Sequence, residues 1–161
     1  MPMAVWQGLA LRHGVFYPMQ TFSKGRSVDF DSVSFFVEAN NQIDTETLKS
    51  LAKTLSPKVY EATSEQRMYL HMAAVFACNF TNHMYALSAH MLKKHGLPFE
   101  SMLPLIDETA RKVHELQPLE AQTGPAVRRD VNVMNKHLEM LVEEPKIRNI
   151  YKIISDNIQD L

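Results

Sequence analysis

The sequence has little that would tie it to a membrane, a disulfide framework or an oxidising compartment. Its 161 residues include a single cysteine, Cys78, which excludes an internal disulfide and a cysteine-rich zinc site. No uncharged apolar window of about 18 residues occurs, and Met1 to Ala10 lacks the basic front end and apolar run of a signal peptide. We therefore expect a cytoplasmic protein that does not cross a membrane.

Three further absences narrow the possible functions. Seventeen basic and eighteen acidic residues give a net charge of -1 without a long run of either sign, which argues against binding to nucleic acid or to a membrane surface. No Glu-x-x-His or His-x-x-x-His pair occurs, which disfavours a helical metal site. No GxGxxG motif occurs, so the phosphate-binding loop of a dinucleotide site is missing from these residues.

The longest helical signal runs from Thr63 to Lys94. Thr63 and Gln66 form a capping-box pattern at its start, while Gly96 and the subsequent Pro98 mark its end. Side chains are apolar on nearly all sides in the first half of this segment. This pattern predicts a central helix that other helices surround.

A polar stripe interrupts that apolar surface. At about 100° per residue, five side chains project within roughly 60° of one another, and Asn79 lies some 80° from His71; the five are Arg67, His71, Cys78, Asn82 and Tyr85. Buried polar groups need partners, because leaving one unpaired costs on the order of 1 to 3 kcal/mol. The stripe therefore indicates either core polar groups that bond to one another or the wall of a ligand site.

A short strand-rich segment precedes the long helix. Strand signals cover Gly14 to Tyr17, ending at Pro18, then Ser34 to Ala39 and Lys58 to Ala62. A helix between the second and third signals, beginning at Asp44, suggests a βαβ crossover, so we expect three parallel strands. Three parallel strands make a poor sheet alone, and we expect further strands upstream.

A polar loop comes directly after the first strand. It contains Gln20, Thr21 and Ser23, just after Tyr17. Ligands of open α/β sheets bind at the carboxyl ends of the strands. These four residues are therefore candidates for substrate binding.

The second half is helical except for one segment, Gln117 to Asp130. Thr123 begins a rigid Thr-Gly-Pro turn, and Arg128 comes shortly after it. Arg128 is either a fork for a carboxylate or phosphate, or a residue that pairs with Asp130 or Glu120 and fixes the loop. The sequence leaves both interpretations open.

Three motifs together resemble one family. They are GVFYPMQTFSK (Gly14 to Lys24), HMAAVFACNFTNH (His71 to His83) and TGPAVRRD (Thr123 to Asp130). The sequence is similar to Rossmann-type NADP oxidoreductases of uncharacterised activity whose helical second domain is domain of unknown function 2520. Pyrroline-5-carboxylate reductase and the beta-hydroxyacid dehydrogenases look like distant relatives.

The resemblance implies a longer parent protein. That protein would have an amino-terminal NADP-binding Rossmann domain and a helical domain similar to the carboxyl-terminal domain of 6-phosphogluconate dehydrogenase. A cleft between the domains would hold a small-molecule substrate, and the helical domain would form a homodimer. We expect this chain to begin after the nucleotide-binding half, so that it would be inactive alone.

The expected fold is mainly α. Residues 1–63 would be a three-stranded parallel α/β remnant of the Rossmann domain, and residues 64–161 the helical bundle of the 6-phosphogluconate dehydrogenase type. The expected function is the substrate-binding and dimerising portion of an NADP-dependent oxidoreductase. The alternative is a non-catalytic helical module that dimerises or binds a small acid.

The predicted site combines the strand-end loop, the helix stripe and the turn. In a dehydrogenase one group must pass a proton, and the free pKa of histidine suits His71 for that role, although an ordinary buried histidine is the competing interpretation. Asn79 or Asn82 would hold the substrate oxygen, and Arg128 would bind an anionic group. The substrate-binding candidates are Tyr17, Gln20, Thr21, Ser23, Thr123 and Arg128.

Overall fold

The computed structural model describes residues 2–161 and is mainly α-helical, with a three-stranded sheet preceding the helices, as predicted. The strands are β1 (Gly14–Met19), β2 (Ser34–Ala39) and β3 (Val59–Glu61). The helices are α1 (Gln42–Lys53), α2 (Ser64–Ala74), α3 (Thr81–Lys94), α4 (Leu103–Glu115), α5 (Pro118–Ala121), α6 (Val131–Met140) and α7 (Pro145–Asp160). Two compact units divide the chain, one ending at Thr81 and the other running from Asn82 to Leu161. The predicted domain boundary at 63/64 stays a prediction.

The sheet is mixed, so the prediction of three parallel strands was wrong. Its order is β1-β2-β3, and β2 and β3 are parallel, joined through α1. By contrast, β1 is antiparallel to β2, with Gly14 opposite Ala39 and Met19 opposite Ser34. The connection from β1 to β2 contains only the short 3-10 turn Phe30–Ser32, and without a crossover helix the chain folds back on itself.

The strand β1 also continues past its predicted end at Pro18. Because β1 is an edge strand, a proline can occupy it without removing a hydrogen bond from the interior of the sheet. The core of this first unit is small. Phe35 and Val37 of β2 point to one face and pack with Val33 and with Ala52 of α1.

The start of the long helix is as predicted. The hydroxyl of Thr63 accepts a hydrogen bond from the Gln66 amide, and the Gln66 side chain accepts one from the Thr63 amide. Gly96 ends the helix in the left-handed region, with φ of +70°. Between these ends, a π-helical segment (Val75–Phe80) separates α2 from α3.

The helix is not surrounded within the described chain, and the prediction of a buried apolar segment was wrong. Met68 and Phe76 are each 63% exposed, and Tyr69, Met72 and Phe80 are also largely exposed. Apolar periodicity shows that a surface can be buried but does not say what covers it.

The second unit is built from α3 to α7. The predicted cap at Asp130 is confirmed, because its carboxylate accepts a hydrogen bond from the amide of Val133 at the start of α6. Gly124 has φ of +111° in the turn that precedes α6, a conformation that glycine adopts without strain. No helix within residues 2–161 is both long and apolar enough to cross a membrane.

Candidate functional site

A small pocket in the first unit brings together residues of β1 and α2. Its volume is about 300 Å³. Tyr17 comes from the antiparallel edge strand, and His71 comes from the second turn of α2. The lining residues are Val15, Tyr17, Ser64, Arg67, Met68 and His71.

Arg67, which lines this pocket, belongs to a buried ion pair. Arg67 is only 6% exposed, and its guanidinium donates to the Glu38 carboxylate at 2.5 Å, to the Ala62 carbonyl at 2.7 Å and to the Ser64 hydroxyl at 3.1 Å. The Ser64 hydroxyl donates to Glu38 at 2.9 Å and accepts from the Met3 amide at 2.9 Å. These bonds hold β2 and the start of α2 in one geometry, since buried charges are stable only when paired.

His71 lies one helical turn after Arg67 and is exposed to solvent. Its imidazole nitrogens and the phenol of Tyr17 can each donate and accept hydrogen bonds. A polar ligand in the pocket would therefore meet two adaptable hydrogen-bonding groups beside a fixed cation. The competing interpretation of His71 as a buried core residue is not what the structure shows.

The strand-end loop lies outside the lining of this pocket. Gln20, Thr21 and Ser23 are all exposed. The side-chain oxygen of Gln20 accepts a hydrogen bond from the Thr21 amide at 2.7 Å, which fixes the start of the loop. Of the four substrate-binding candidates in this motif, Tyr17 alone lines the pocket.

Asn79 lies within the π-helical segment and is exposed. A π segment inserts one extra residue into a turn, which rotates the later side chains by about 100° from the α-helical phase. The predicted stripe assumed a regular α-helix through Cys78, Asn79 and Asn82, and the π segment interrupts that regular phase. Asn82 is the exposed first residue of the second unit.

Thr123 and Arg128 belong to the second unit. Thr123 lines a separate cavity of about 500 Å³ within that unit, while Arg128 is exposed in the turn before α6. No ion pair joins Arg128 to Asp130 or Glu120 among the described residues. Its role as an anion-binding residue, and the convergence of loop, stripe and turn, stay predictions.

Sequence reasoning missed Ser64 in the pocket lining and Glu38 as the partner of the lining residue Arg67. One signal was available: Glu38 is the only charged residue in the strand SFFVEA, and a carboxylate in a buried strand needs a cationic partner. The partner, Arg67, lies 29 residues later in the chain. Nothing in the sequence pattern ties these two positions together.

The pyrophosphate of NADP binds at a helix N-terminus that follows a glycine-rich turn. The N-termini of α1 and α2, each of which follows a strand of the sheet, can be compared with that requirement. The first turn of α1 contains Asp44, whose pKa is lowered to about 2 by hydrogen bonds from Arg12 and then Asn41, so a negative charge already stands there. At α2, Thr63 and Gln66 use the terminal amides. Neither helix start fits a pyrophosphate.

Metal binding gains no support from the side-chain arrangement. Across residues 2–161, no group of three or more histidine, cysteine, aspartate or glutamate side chains could hold a metal ion.

Comparisons with known proteins agree with one family. The profile of domain of unknown function DUF2520 matches residues 33–158. A crystal structure of a Bacteroides fragilis protein, named a putative NADP oxidoreductase, is 59% identical, with a TM-score of 0.94 over 100% of this chain and 62% of that chain. A Thermotoga maritima protein shares the fold at 22% identity and a TM-score of 0.77, over 91% of this chain and 60% of that one.

This chain thus spans about three fifths of the solved chains that it matches. No curated protein matches the sequence. The profile covers well over half of the residues, and the chain therefore belongs to the DUF2520 family.

Proposed function

We propose that this chain is the substrate-binding and dimerising portion of an NADP-dependent oxidoreductase that acts in the cytoplasm. The observation that carries the proposal is the pocket in which Tyr17 and His71 meet beside the buried Arg67–Glu38 pair. The name of the Bacteroides fragilis relative supports redox chemistry with NADP. On this proposal the helical region is a domain of the 6-phosphogluconate dehydrogenase carboxyl-terminal type.

His71 is the residue to which we assign proton transfer. It is accessible to solvent, and an imidazole exchanges protons near neutral pH. Tyr17 provides a second hydrogen-bonding group in the same pocket. Asn79 and Asn82 are assigned to the substrate oxygen, because an amide can donate to it without changing charge.

The other candidates are assigned to substrate binding. Gln20, Thr21 and Ser23 offer exposed polar groups just after β1, and Thr123 borders the cavity of the second unit. Arg128 is assigned to an anionic group of the substrate, because its guanidinium is exposed and can bind a carboxylate through two parallel hydrogen bonds.

Dimerisation is supported by how much surface the chain exposes. Its accessible surface is 12286 Å². Even two separate compact units of half this mass would expose only about 9,900 Å² in total, by the usual scaling of surface with mass. The excess of roughly 2,400 Å² per chain, or about 4,800 Å² for two chains, lies near the upper end of the total area that obligate dimers bury.

A second candidate function is a non-catalytic module that dimerises and binds a small acid. The observation that favours it is that the N-termini of α1 and α2 do not fit a pyrophosphate. This candidate keeps the pocket and the dimer but predicts no affinity for any part of NADPH.

Nuclear magnetic resonance titration of the full chain separates the two candidates. Reduced nicotinamide mononucleotide is the probe, and 2′,5′-ADP, the other half of NADPH, is the matched control. If the chain is the substrate side of an oxidoreductase, the first should shift the amide signals of Tyr17 and His71 while the second leaves them unchanged. The module predicts no response to either, and a response of the chain to 2′,5′-ADP alone would contradict both.

A further inference from the structure

The pocket that Tyr17 and His71 share has a balanced charge before any ligand enters it. Among the six lining residues described, Arg67 alone has a permanent charge. Its guanidinium pairs with the Glu38 carboxylate at 2.5 Å, and the two side chains are only 7% and 22% exposed. Because the pair is largely shielded from water, its two opposite charges offset each other at short range. The ion pair therefore adds almost no net charge to the pocket.

The residues around this pair also use their hydrogen bonds on one another. The Arg67 guanidinium donates to the Ala62 carbonyl and to the Ser64 hydroxyl as well as to its carboxylate partner. The Ser64 hydroxyl donates to Glu38 and accepts a second hydrogen bond from the Met3 amide, so its one donor and two lone pairs are all used. In the part of the chain that the structure describes, no buried side-chain nitrogen or oxygen lacks a partner. No buried donor is therefore left free for an anion, which is recognised by several charge-assisted hydrogen bonds.

The groups that remain for a ligand are uncharged or apolar. The phenol of Tyr17 and the imidazole of His71 can each donate or accept a hydrogen bond. Val15 and Met68 complete the lining with apolar surface. The volume of about 300 Å³ is small for a ligand site. A ligand therefore meets two neutral hydrogen-bonding groups and apolar walls in a confined space.

We propose that the part of the substrate that enters this pocket is an uncharged carbonyl or hydroxyl group with a small apolar substituent. This inference rests on the proposed function and names the class of substrate for the same site, which is a small ketone or aldehyde or the corresponding alcohol. The pocket discriminates against a carboxylate at this end of the substrate. An anionic group, such as the one assigned to Arg128, stays outside the pocket.

Electrostatics gives the physical reason for this preference. Removing even part of the water around an ionised carboxylate is costly unless a cation or several donors replace it. A carboxylate in the pocket would compete with Glu38 for the Arg67 guanidinium and would be repelled by the carboxylate already there. An uncharged carbonyl loses only ordinary hydrogen bonds with water, and Tyr17 and His71 can replace them.

Two probes of nearly the same shape test the preference. Isobutyramide is an uncharged carbonyl compound with a branched apolar group, and isobutyrate is its anionic isostere. Nuclear magnetic resonance titration of the full chain follows the amide signals of Tyr17 and His71 at about pH 8, where most imidazoles are uncharged. We expect isobutyramide to bind about tenfold more tightly than isobutyrate.

Glu38→Gln tests whether the balanced ion pair causes the preference. The change removes the charge that neutralises Arg67, so the pocket gains a net positive charge and isobutyrate should bind at least as tightly as isobutyramide. Glu61→Gln is the matched control, because Glu61 lies on the adjoining strand and pairs with Lys49 at 2.8 Å. It should leave the ratio of the two affinities unchanged. The comparison on the unmodified chain needs no variant, so it decides the question even where Glu38→Gln does not fold.

The outcomes separate this inference from the proposed function. Equal or tighter binding of isobutyrate to the unmodified chain would overturn the inference and leave the proposed function intact, since the pocket would still bind a small ligand. A ratio that a folded Glu38→Gln variant leaves unchanged would also overturn it, because charge balance would not be the cause. A chain that responds to neither probe at tens of millimolar would overturn it as well, and the titration with reduced nicotinamide mononucleotide would then decide the proposed function separately.

Discussion

Replacing Arg67 with methionine should destabilise the first unit strongly. Arg67→Met keeps much of the volume of the side chain but removes the cation that pairs with Glu38. The Ala62 carbonyl and the Ser64 hydroxyl lose the same donor. The Glu38 carboxylate beside the pocket would then have no positive partner.

The size of the effect depends on burial. A buried ion pair that loses one partner costs about 3 to 5 kcal/mol, and a hydrogen bond to a charged group is worth about 1.5 to 3 kcal/mol. The Glu38 side chain is 22% exposed and can regain some water, which lowers the cost. We therefore expect the free energy of unfolding to fall by about 2 to 4 kcal/mol.

Urea unfolding monitored by tryptophan fluorescence measures this loss. Trp6 is the single tryptophan and lies in the first unit, so its signal reports on the part of the chain that contains Arg67. Arg26→Met is the matched control, because Arg26 is exposed, and it should change stability by less than about 0.5 kcal/mol. A double-mutant cycle with Glu38→Gln should show that the two changes are coupled.

Two results would refute this reasoning. If Arg67→Met costs no more than Arg26→Met, the ion pair does not hold the wall of the pocket. If the effects of Arg67→Met and Glu38→Gln on stability are additive, the two residues do not interact in solution. The claim that Arg67 is a fixed cation beside His71 would then be wrong.

Four further predictions concern an ion pair, close packing, a helix end and a cap. The pKa of Asp44 is lowered from 3.8 to about 2, so the stability that its charge contributes is complete above pH 3.8 and is lost as the pH falls towards 2. In Asp44→Asn, the free energy of unfolding measured in urea should therefore depend less on pH over this range. Gly14→Ala would place a Cβ 2.7 Å from the Glu38 carbonyl oxygen and should cost about 1 to 3 kcal/mol by thermal unfolding. At Gly96, φ is +70° and a Cβ added there would meet no neighbouring atom within 4 Å. Gly96→Ala should therefore lower the free energy of unfolding by about 1 to 2 kcal/mol through backbone strain alone. Asp130→Ala should lower stability by about 0.5 to 2 kcal/mol, which hydrogen exchange at the Val133 amide would detect.

Local features of the fold were predictable from the sequence. The capping box at Thr63, the glycine end at Gly96 and the cap at Asp130 depend on residues three or four positions apart. The parallel pairing of β2 and β3 was also predictable, because a helix of suitable length lies between them. These elements contain their own signals.

Features that depend on distant partners were not predictable. The direction of β1 is decided by its pairing with β2 across a loop without a helix. The π segment at Val75–Phe80 has no marker in the amino-acid pattern, and it changes where Asn79 points. The exposure of Met68 and Phe76 depends on what packs against them, which periodicity cannot reveal.

In the candidate site, too, residues with a local signal were predictable and residues with distant partners were not. Tyr17 and His71 were both chosen by residue type, strand position and helical phase, and one pocket contains both. The Arg67–Glu38 pair was not found, because its members are 29 positions apart, with α1 and β3 between them. Neighbours of that kind become visible only in three dimensions.

Titration with the two halves of NADPH tests the central claim most directly. The claim is that the pocket of Tyr17 and His71 is the substrate side of an oxidoreductase whose nucleotide-binding loop is absent from these residues. It predicts that reduced nicotinamide mononucleotide shifts the signals of both residues, that His71→Ala weakens this binding, and that 2′,5′-ADP has no effect. The absence of any response to reduced nicotinamide mononucleotide at millimolar concentration would contradict it.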